Sequence, residues 1–381
     1  MAHEDGAWTV KVFDDLRPED LELVADFFIE HFPGVFYPKC SPEIWRWKLG
    51  TSNPAGPGFL TVAYLDGKVI GTTSGTRQKI SLGGQTVSGM EIGDTFTHPD
   101  YRKSGFCRES YPGTLNNNDY LNKSVFGRLV TETLDRASAA GVQYVFGTPN
   151  LNSRPPYLSK LGFIEIGFDK VKSWNLICSK YVTSARYKIP IRLSIALLKC
   201  AVKVNTYLMQ RKYSLRETAF GELSDAFVTH VRVRESISER SESLYFEQNL
   251  SFYQHRYDRH PSHQYRYFEV VGNGKVIGWL VCTQIKRSSG RETLVISDWI
   301  AFDESFRGHL PSFISLVAPK YPDAEVISVW AANDLAKKSQ WHRFGFFSVK
   351  DISIIERSIG IENSQPVEEF VDFRIGWSDN G

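Results

Sequence analysis

The carboxylate with the clearest chemical prospects is Glu91. Val87, Gly89, Glu91, Gly93, Thr95 and Thr97 share one face of a strand by period-2 alternation, and Glu91 is the one ionisable side chain among them. A carboxylate placed alone on such a face can take a proton from a nucleophile, directly or through water; it can equally be an exposed or salt-bridged strand residue. Asp94 has the opposite parity, so alternation sends it to the other face unless a bulge intervenes. The strand must end at His98-Pro99-Asp100-Tyr101-Arg102, because Pro99 has no N–H to continue a ladder. Beyond it stand two similar turns, Arg102-Lys103-Ser104-Gly105-Phe106 and Asn122-Lys123-Ser124-Val125-Phe126. A turn that opens a helix offers unpaired N–H groups and the positive end of the helix dipole to a phosphate. The second turn suits that task better, since it adjoins the helix itself.

The elements that position these groups follow from apolar spacing. Thr86 to Thr97 is β-rich; Val125, Phe126, Leu129, Val130, Thr133, Leu134 and Ala137 recur at helical spacing after Asn122 and Ser124, both good N-cap types, and stop at Gly141. Val142 to Gly147 is a buried-strand pattern, and a short helix leads to Leu161-Gly162-Phe163. Upstream, Trp8 to Phe13 alternates like a strand, and Pro18 opens an amphipathic helix. Two strands flank Asp66-Gly67, a strong hairpin signal.

With Arg102, Gly105 and the Leu-Gly-Phe ending, the stretch from Met90 to Phe163 resembles the acyl-CoA-binding core of the GNAT superfamily of N-acyltransferases. The resemblance implies that Phe96 and Thr97 at the strand end, Arg102, Lys103 and Gly105, and Asn122, Lys123, Ser124, Val125 and Phe126 hold acetyl-CoA or another acyl-CoA by its pyrophosphate and pantetheine. It implies Glu91 as general base, with Asp94 second. The family's general acid is a Tyr at the position of Leu158, one residue beyond Tyr157, so Tyr157 is as much a packing tyrosine as a thiolate protonator. Asn150 and Asn152 lie where the family often has an Asn near the pantetheine, or are plain turn and cap residues. Cys107 departs from the family's second Gly or Ala, and Cys107 to Leu121 reads as an inserted polar loop, either a surface excursion or a lid.

The pattern then repeats. Pro54 precedes Asp66-Gly67-Lys68-Val69-Ile70-Gly71 by the same spacing at which Pro261 precedes Asn273-Gly274-Lys275-Val276-Ile277-Gly278. The second copy has Arg307-Gly308-His309-Leu310-Pro311 in place of the phosphate turn and Ile296 at the position counted for Glu91, so it is expected to bind no CoA. The expected fold is α/β, with two tandem GNAT-like domains, each a mixed, mainly antiparallel sheet flanked by helices. Their limits are 1–180 for the donor domain, 181–212 for a connecting amphipathic helix and 213–381 for a degenerate acceptor-binding domain. The connector's basic reverse face suits an anionic membrane surface, but packing within a soluble protein is the favoured reading. Tyr253, Arg256, Asp298 and Trp299 are the candidate acceptor contacts, from guanidinium and aromatic faces that suit sugars and phosphates; buried packing is the alternative for Trp299.

A chain of 381 residues with net charge +2 has no basic field for nucleic acid, and its five cysteines show no CxxC. His255, His260 and His263 have no recognised metal spacing, so no metal is expected. No apolar run reaches membrane-spanning length, the N-terminus is polar, and a cytoplasmic enzyme is the reading. Its expected reaction is acyl transfer, acetyl by first choice, to a polar primary amine such as an amino sugar or nucleotide-linked amino sugar; the resemblance extends to tandem GNATs of bacterial surface-polysaccharide machinery. The alternatives are Fem-like aminoacyl or acyl-carrier-protein-dependent transfer, and a catalytically silent tandem GNAT that binds a ligand.

Overall fold

The computed structural model describes residues 8–13, 16–32, 38–82, 85–102, 124–166, 171–178, 207–223, 245–246, 249–287 and 289–359, together with Val204 and Val228. Lys103, Gly105, Asn122, Lys123, the 103–122 insertion and most of the expected connecting helix lie outside them.

Four strands open the chain as an antiparallel series: β1 (Thr9–Phe13), β2 (Phe59–Leu65), β3 (Lys68–Leu82) and β4 (Gln85–Thr97). β5 (Tyr144–Gly147) lies parallel to β4, but only over Gly89–Glu91. Alternation assigns the two faces. Leu60 and Val62 of β2 pack under α1 (Pro18–His31) and α2 (Pro42–Leu49) with Leu21, Phe28 and Trp45, whereas Met90 and Ile92 of β4 pack with Val130 and Leu134 of α3 (Val125–Ala139). α4 (Arg154–Lys160) and β6 (Ile164–Glu165) follow.

β7 (Val171–Ile177) belongs to a second sheet with β8 (Tyr213–Thr218), while β9 (Tyr245–Phe246) returns to pair with β3. A short helix α5 (Leu250–Tyr253) runs into a π turn at Gln254–Asp258. Then come β10 (Tyr265–Gly272), β11 (Lys275–Lys286), β12 (Glu292–Ala301), α6 (Glu304–Val317), β13 (Val326–Ala332), α7 (Asn333–Lys338), β14 (Phe346–Asp351) and β15 (Ile355–Ser358). The first sheet runs β1-β2-β3-β4-β5-β15-β6 with β9 on β3, and the second runs β14-β7-β13-β12-β11-β10-β8. Each is mixed and mainly antiparallel, as expected of two GNAT-like units.

The expected boundaries at 180 and 212 do not describe these units. The first unit takes residues 1–166, 239–247 and 353–369 and the second takes 167–238, 248–352 and 370–381, with β7 inserted between β14 and β13 and β15 between β5 and β6. Strand pairing depends on backbone hydrogen bonds and is blind to distance along the chain. A fragment ending at Thr183 would lack β15, leaving β5 and β6 without their shared neighbour. Such a fragment is expected to be insoluble or to show no cooperative melting by circular dichroism, and a sharp transition would contradict the exchange.

The internal repeat is exact in its details of backbone. Asp66-Gly67 and Asn273-Gly274 both turn with positive φ at each residue (50° and 76°; 51° and 73°), as a tight β-hairpin requires. Register shifts follow each turn, leaving Ile70 and Ile277 as the extra residues. Gly278 lets α6 approach closely, since a Cβ there would lie 2.2 Å from the fully buried ring of Phe306. Gly278→Ala is therefore expected to lower stability by about 1–3 kcal/mol in urea unfolding.

Candidate active site

β4 carries a second register shift. Thr72 pairs with Phe96 and Ser74 with Gly93, so Asp94 and Thr95 together oppose Thr73, and Asp94 takes φ +52°. The bulge overturns the expectation that Asp94 and Glu91 face opposite ways. A Cβ on Gly93, which has the parity of Glu91, would point at Lys48 Nζ, and Asp94 binds that same ammonium. Asp94 also pairs with Lys39 and accepts from Ser74 Oγ at 2.7 Å, while Thr72 Oγ1 donates to its carbonyl at 3.0 Å. Both carboxylates thus point to the α1/α2 face. Glu91 is fully buried between cross-strand neighbours Thr76 and Phe146. Neither lysine was legible in the sequence as part of the site, since nothing in the spacing links Lys39 or Lys48 to Asp94.

The bulge turns Thr95 and Thr97 toward the α3 face instead. Tyr157 of α4 meets Thr95 there through a hydroxyl–hydroxyl hydrogen bond of 2.9 Å, and Thr95 continues to Thr73 Oγ1 at 2.6 Å. The Tyr157 ring packs edge-on against Phe126 and Phe163, with centroids 5.3 and 5.0 Å away. Tyr157 therefore does face β4 despite standing one residue from the family position. Ser124 caps α3, accepting from Gly127 N at 2.9 Å, and Arg128 N reaches Ser124 O at 3.0 Å. The N–H groups of Val125 and Phe126 have no acceptor within the helix. Thr97 Oγ1 is buried without a hydrogen-bond partner on this same side, where a Cβ on its cross-strand neighbour Gly71 would touch Val125 and Leu129.

Other candidates are placed differently. Arg102 folds back, donating from Nε to Thr97 O at 2.8 Å and covering the Phe96 ring at 4.7 Å. Phe96 itself packs under α1 against Phe27, Phe28 and Phe32, so its side chain belongs to that core. Asn150 Oδ1 accepts from the N–H groups of Asn152 and Ser153 at 2.9 and 3.0 Å, a turn that leads into α4, and Asn152 is exposed. Glu30, His31 and His98 bring ligand atoms within 4.8 Å of one another, which sequence spacing did not suggest. His98 Nδ1 accepts the Asp100 N–H at 3.2 Å, which keeps the proton on Nε2, and burial, with His98 next, lowers the His31 pKa. The His31 ring packs against Phe96, with 5.2 Å between centroids, and edge-on against His98 at 4.6 Å.

In the second unit, Ala301 opposes Gly278 as Thr97 opposes Gly71, and Ser297 is the extra residue of a bulge one pair farther from the strand end than that of β4. Counting back from these strand ends sets Asp298 with Asp94, and Val295, rather than Ile296, with Glu91. Asp298 accepts from Tyr257 Oη at 3.2 Å and from Trp299 N at 2.7 Å. Burial, reinforced by the Asp298 charge, pushes the Tyr257 phenol well up, so it stays a donor. Tyr253 and Trp299 are fully buried, in an aromatic cluster with Trp279 and in the α6 core respectively, and Asp298 is inaccessible. They do not form the open acceptor wall expected of them, because each takes an inward position of its element; Arg256 alone is partly exposed. Arg307 is not in a turn at all: Asp303 Oδ1 caps α6 from Ser305 N two residues after β12, and Arg307 lies within the helix. Pro311 leaves the Arg307 carbonyl without its helical donor, and Ser339 Oγ supplies one at 3.0 Å.

Two units built on this plan, with the helix after the fourth strand capped by Ser124 in one and by Asp303 in the other, have the fold of a tandem GNAT protein. Residues 13–111 match the family model of the acetyltransferase (GNAT) domain. Among solved structures, the chain is similar to a tandem GNAT protein from the clavulanic acid biosynthesis pathway, at 12% identity and TM-score 0.55 over 94% of this chain and 100% of that one. A GCN5-related N-acetyltransferase from Anabaena variabilis aligns at 14% identity and TM-score 0.54, over 92% of this chain and 72% of that one. A probable N-acyltransferase of unknown function from Enterococcus faecalis aligns at 12% and 0.53, over 95% and 73%. No curated protein matches by sequence. Among the described residues no helix is long and apolar enough to cross a membrane.

Proposed function

We propose that the chain is an acyl-CoA-dependent N-acyltransferase whose single donor site lies in the first unit. The observation that carries this is the grouping on the α3 face of the free N–H groups of Val125 and Phe126, the unpartnered Thr97 Oγ1 and the Tyr157 hydroxyl. The first two suit a pyrophosphate. Thr97 Oγ1 suits the amides of a pantetheine lying along the part of β4 that β5 does not pair. A thioester supplies the activated acyl group. Tyr157, tied to Thr95, returns a proton to the departing sulfur, and Glu91, on the other face of β4, accepts one from the amine. The acidic Asp303 cap in the second unit repels a phosphate from the equivalent helix start.

Calorimetric titration with acetyl-CoA, longer acyl-CoAs and free CoA is expected to give one site per chain; two sites, or none, would sink the reading. The same titrations choose the acyl length. Tyr157→Phe is expected to lower kcat roughly ten- to hundredfold with CoA affinity unchanged. The acceptor is a polar primary amine, with amino sugars and their nucleotide-linked forms the first class to assay, and the enzyme is assigned to the cytoplasm, where thiols such as Cys40 and Cys282 stay reduced.

A further inference from the structure

The second unit holds a cavity of about 240 Å³ on the sheet face opposite α6, lined by strands β7, β12, β13 and β14 and by the β11–β12 hairpin. Its placement follows from alternation. Leu176, Leu294, Ile327 and Val329 point into the α6 core, which sends Ser173, Asn175, Thr293 and Ser328 to the other side. β14 would carry Lys350 away from that side, but a register shift between Ser348 and Lys350 turns it back, opposite Ser173. Arg287 and Arg291 enter from the hairpin. Among the described residues the lining therefore has three cations, several hydroxyls and no carboxylate.

Two observations point to an absent anion. Neither Arg287 nor Lys350 has a carboxylate partner among the described residues; both reach solvent, yet partial desolvation lowers the pKa of each, with the Arg287 charge adding to the effect at Lys350. Like charges that converge on one cavity without a partner repel one another, and an anion between them relieves that repulsion. Asn175 Oδ1, also in the lining, is buried with no hydrogen-bond donor. The cavity holds the volume of roughly eight waters, enough for a phosphate with a small organic group.

We infer that this cavity binds a small phosphorylated molecule, its phosphate between Arg287, Arg291 and Lys350 with hydroxyls of Ser173 and Ser328 beside it, and a donor on its organic part serving Asn175. A dianionic phosphate answers three cations better than one carboxylate does, and planar guanidinium groups suit its oxygens. The site is separate from the donor site and does not depend on acyl transfer.

Thermal melting of the full chain tests this with inorganic phosphate and ribose 5-phosphate against acetate and chloride at matched ionic strength. The wild-type protein is expected to melt several degrees higher in millimolar phosphate or sugar phosphate than in the controls. The Arg287→Gln/Lys350→Gln protein is expected to lose that increment while melting, without phosphate, no lower than wild type, since two unpaired cations are gone. Should the double variant not fold, Lys350→Gln alone gives the same comparison. No phosphate-specific increment, an equal one in acetate, or one that survives in the variant would overturn the inference; the last would place the phosphate elsewhere, the α3 start included. A positive result here with no CoA binding would leave this inference standing and remove the proposed function.

Discussion

Glu91→Gln is expected to reduce kcat/KM by about 10²-fold or more near neutral pH, the usual size of a general-base contribution, while CoA affinity changes little. The substitution keeps shape and removes the proton-accepting charge. The case rests on a contrast inside one chain. Both units carry an aspartate at the bulge of the fourth strand, Asp94 and Asp298, although the helix that follows is capped by neutral Ser124 in the first and by acidic Asp303 in the second. A residue present in both units serves the fold. Glu91 has no counterpart, since register sets Val295 in its place, and that is the pattern of a residue retained for chemistry. Steady-state rates with acetyl-CoA and an accepted amine, alongside calorimetry with free CoA, make the test. Wild-type turnover by the Glu91→Gln protein would remove Glu91 from the mechanism.

Asp94→Asn is expected to act on stability, by about 3–5 kcal/mol, which for a unit of this size lowers the melting temperature by about 10 °C or more. Asn tolerates the positive φ of Asp94, so backbone strain does not confuse the result. What changes is charge. The Asp94 side chain is 1% exposed and answers Lys48 at 4% and Lys39 at 13%; without it two buried ammonium groups face each other uncompensated. Lys48→Met in the Asp94→Asn background should recover part of the loss, because it removes one of those orphaned charges. A melting temperature within about 1 °C of wild type for Asp94→Asn would show that the triad is not what holds the bulge. If the variant instead melts normally and loses turnover, Asp94 takes the role given to Glu91.

The sequence alone determined what depends on near neighbours. Alternation placed Glu91 on a shared strand face, Asp66-Gly67 and Asn273-Gly274 marked equivalent hairpins, Ser124 marked the start of α3, and the repeat announced two units. These are properties of local backbone geometry and of hydrophobic period, which a few residues specify. Tertiary structure decided whatever depends on a partner far along the chain. One extra residue at Asp94 reversed the parity of everything after it, sending Thr95 and Thr97 to α3 and Phe96 to α1, because in a strand a shift of one residue exchanges the faces. Lys39 and Lys48 met Asp94 only when α2 closed on the sheet. Tyr253 and Trp299 became core, since an aromatic residue's large apolar surface is worth most when buried and composition cannot say on which side of a strand it lands. The exchange of β7 and β15 between sheets was the least legible, because a strand's backbone donors and acceptors pair with any edge of fitting register, and the side-chain pattern that fits one half-buried sheet fits the other as well.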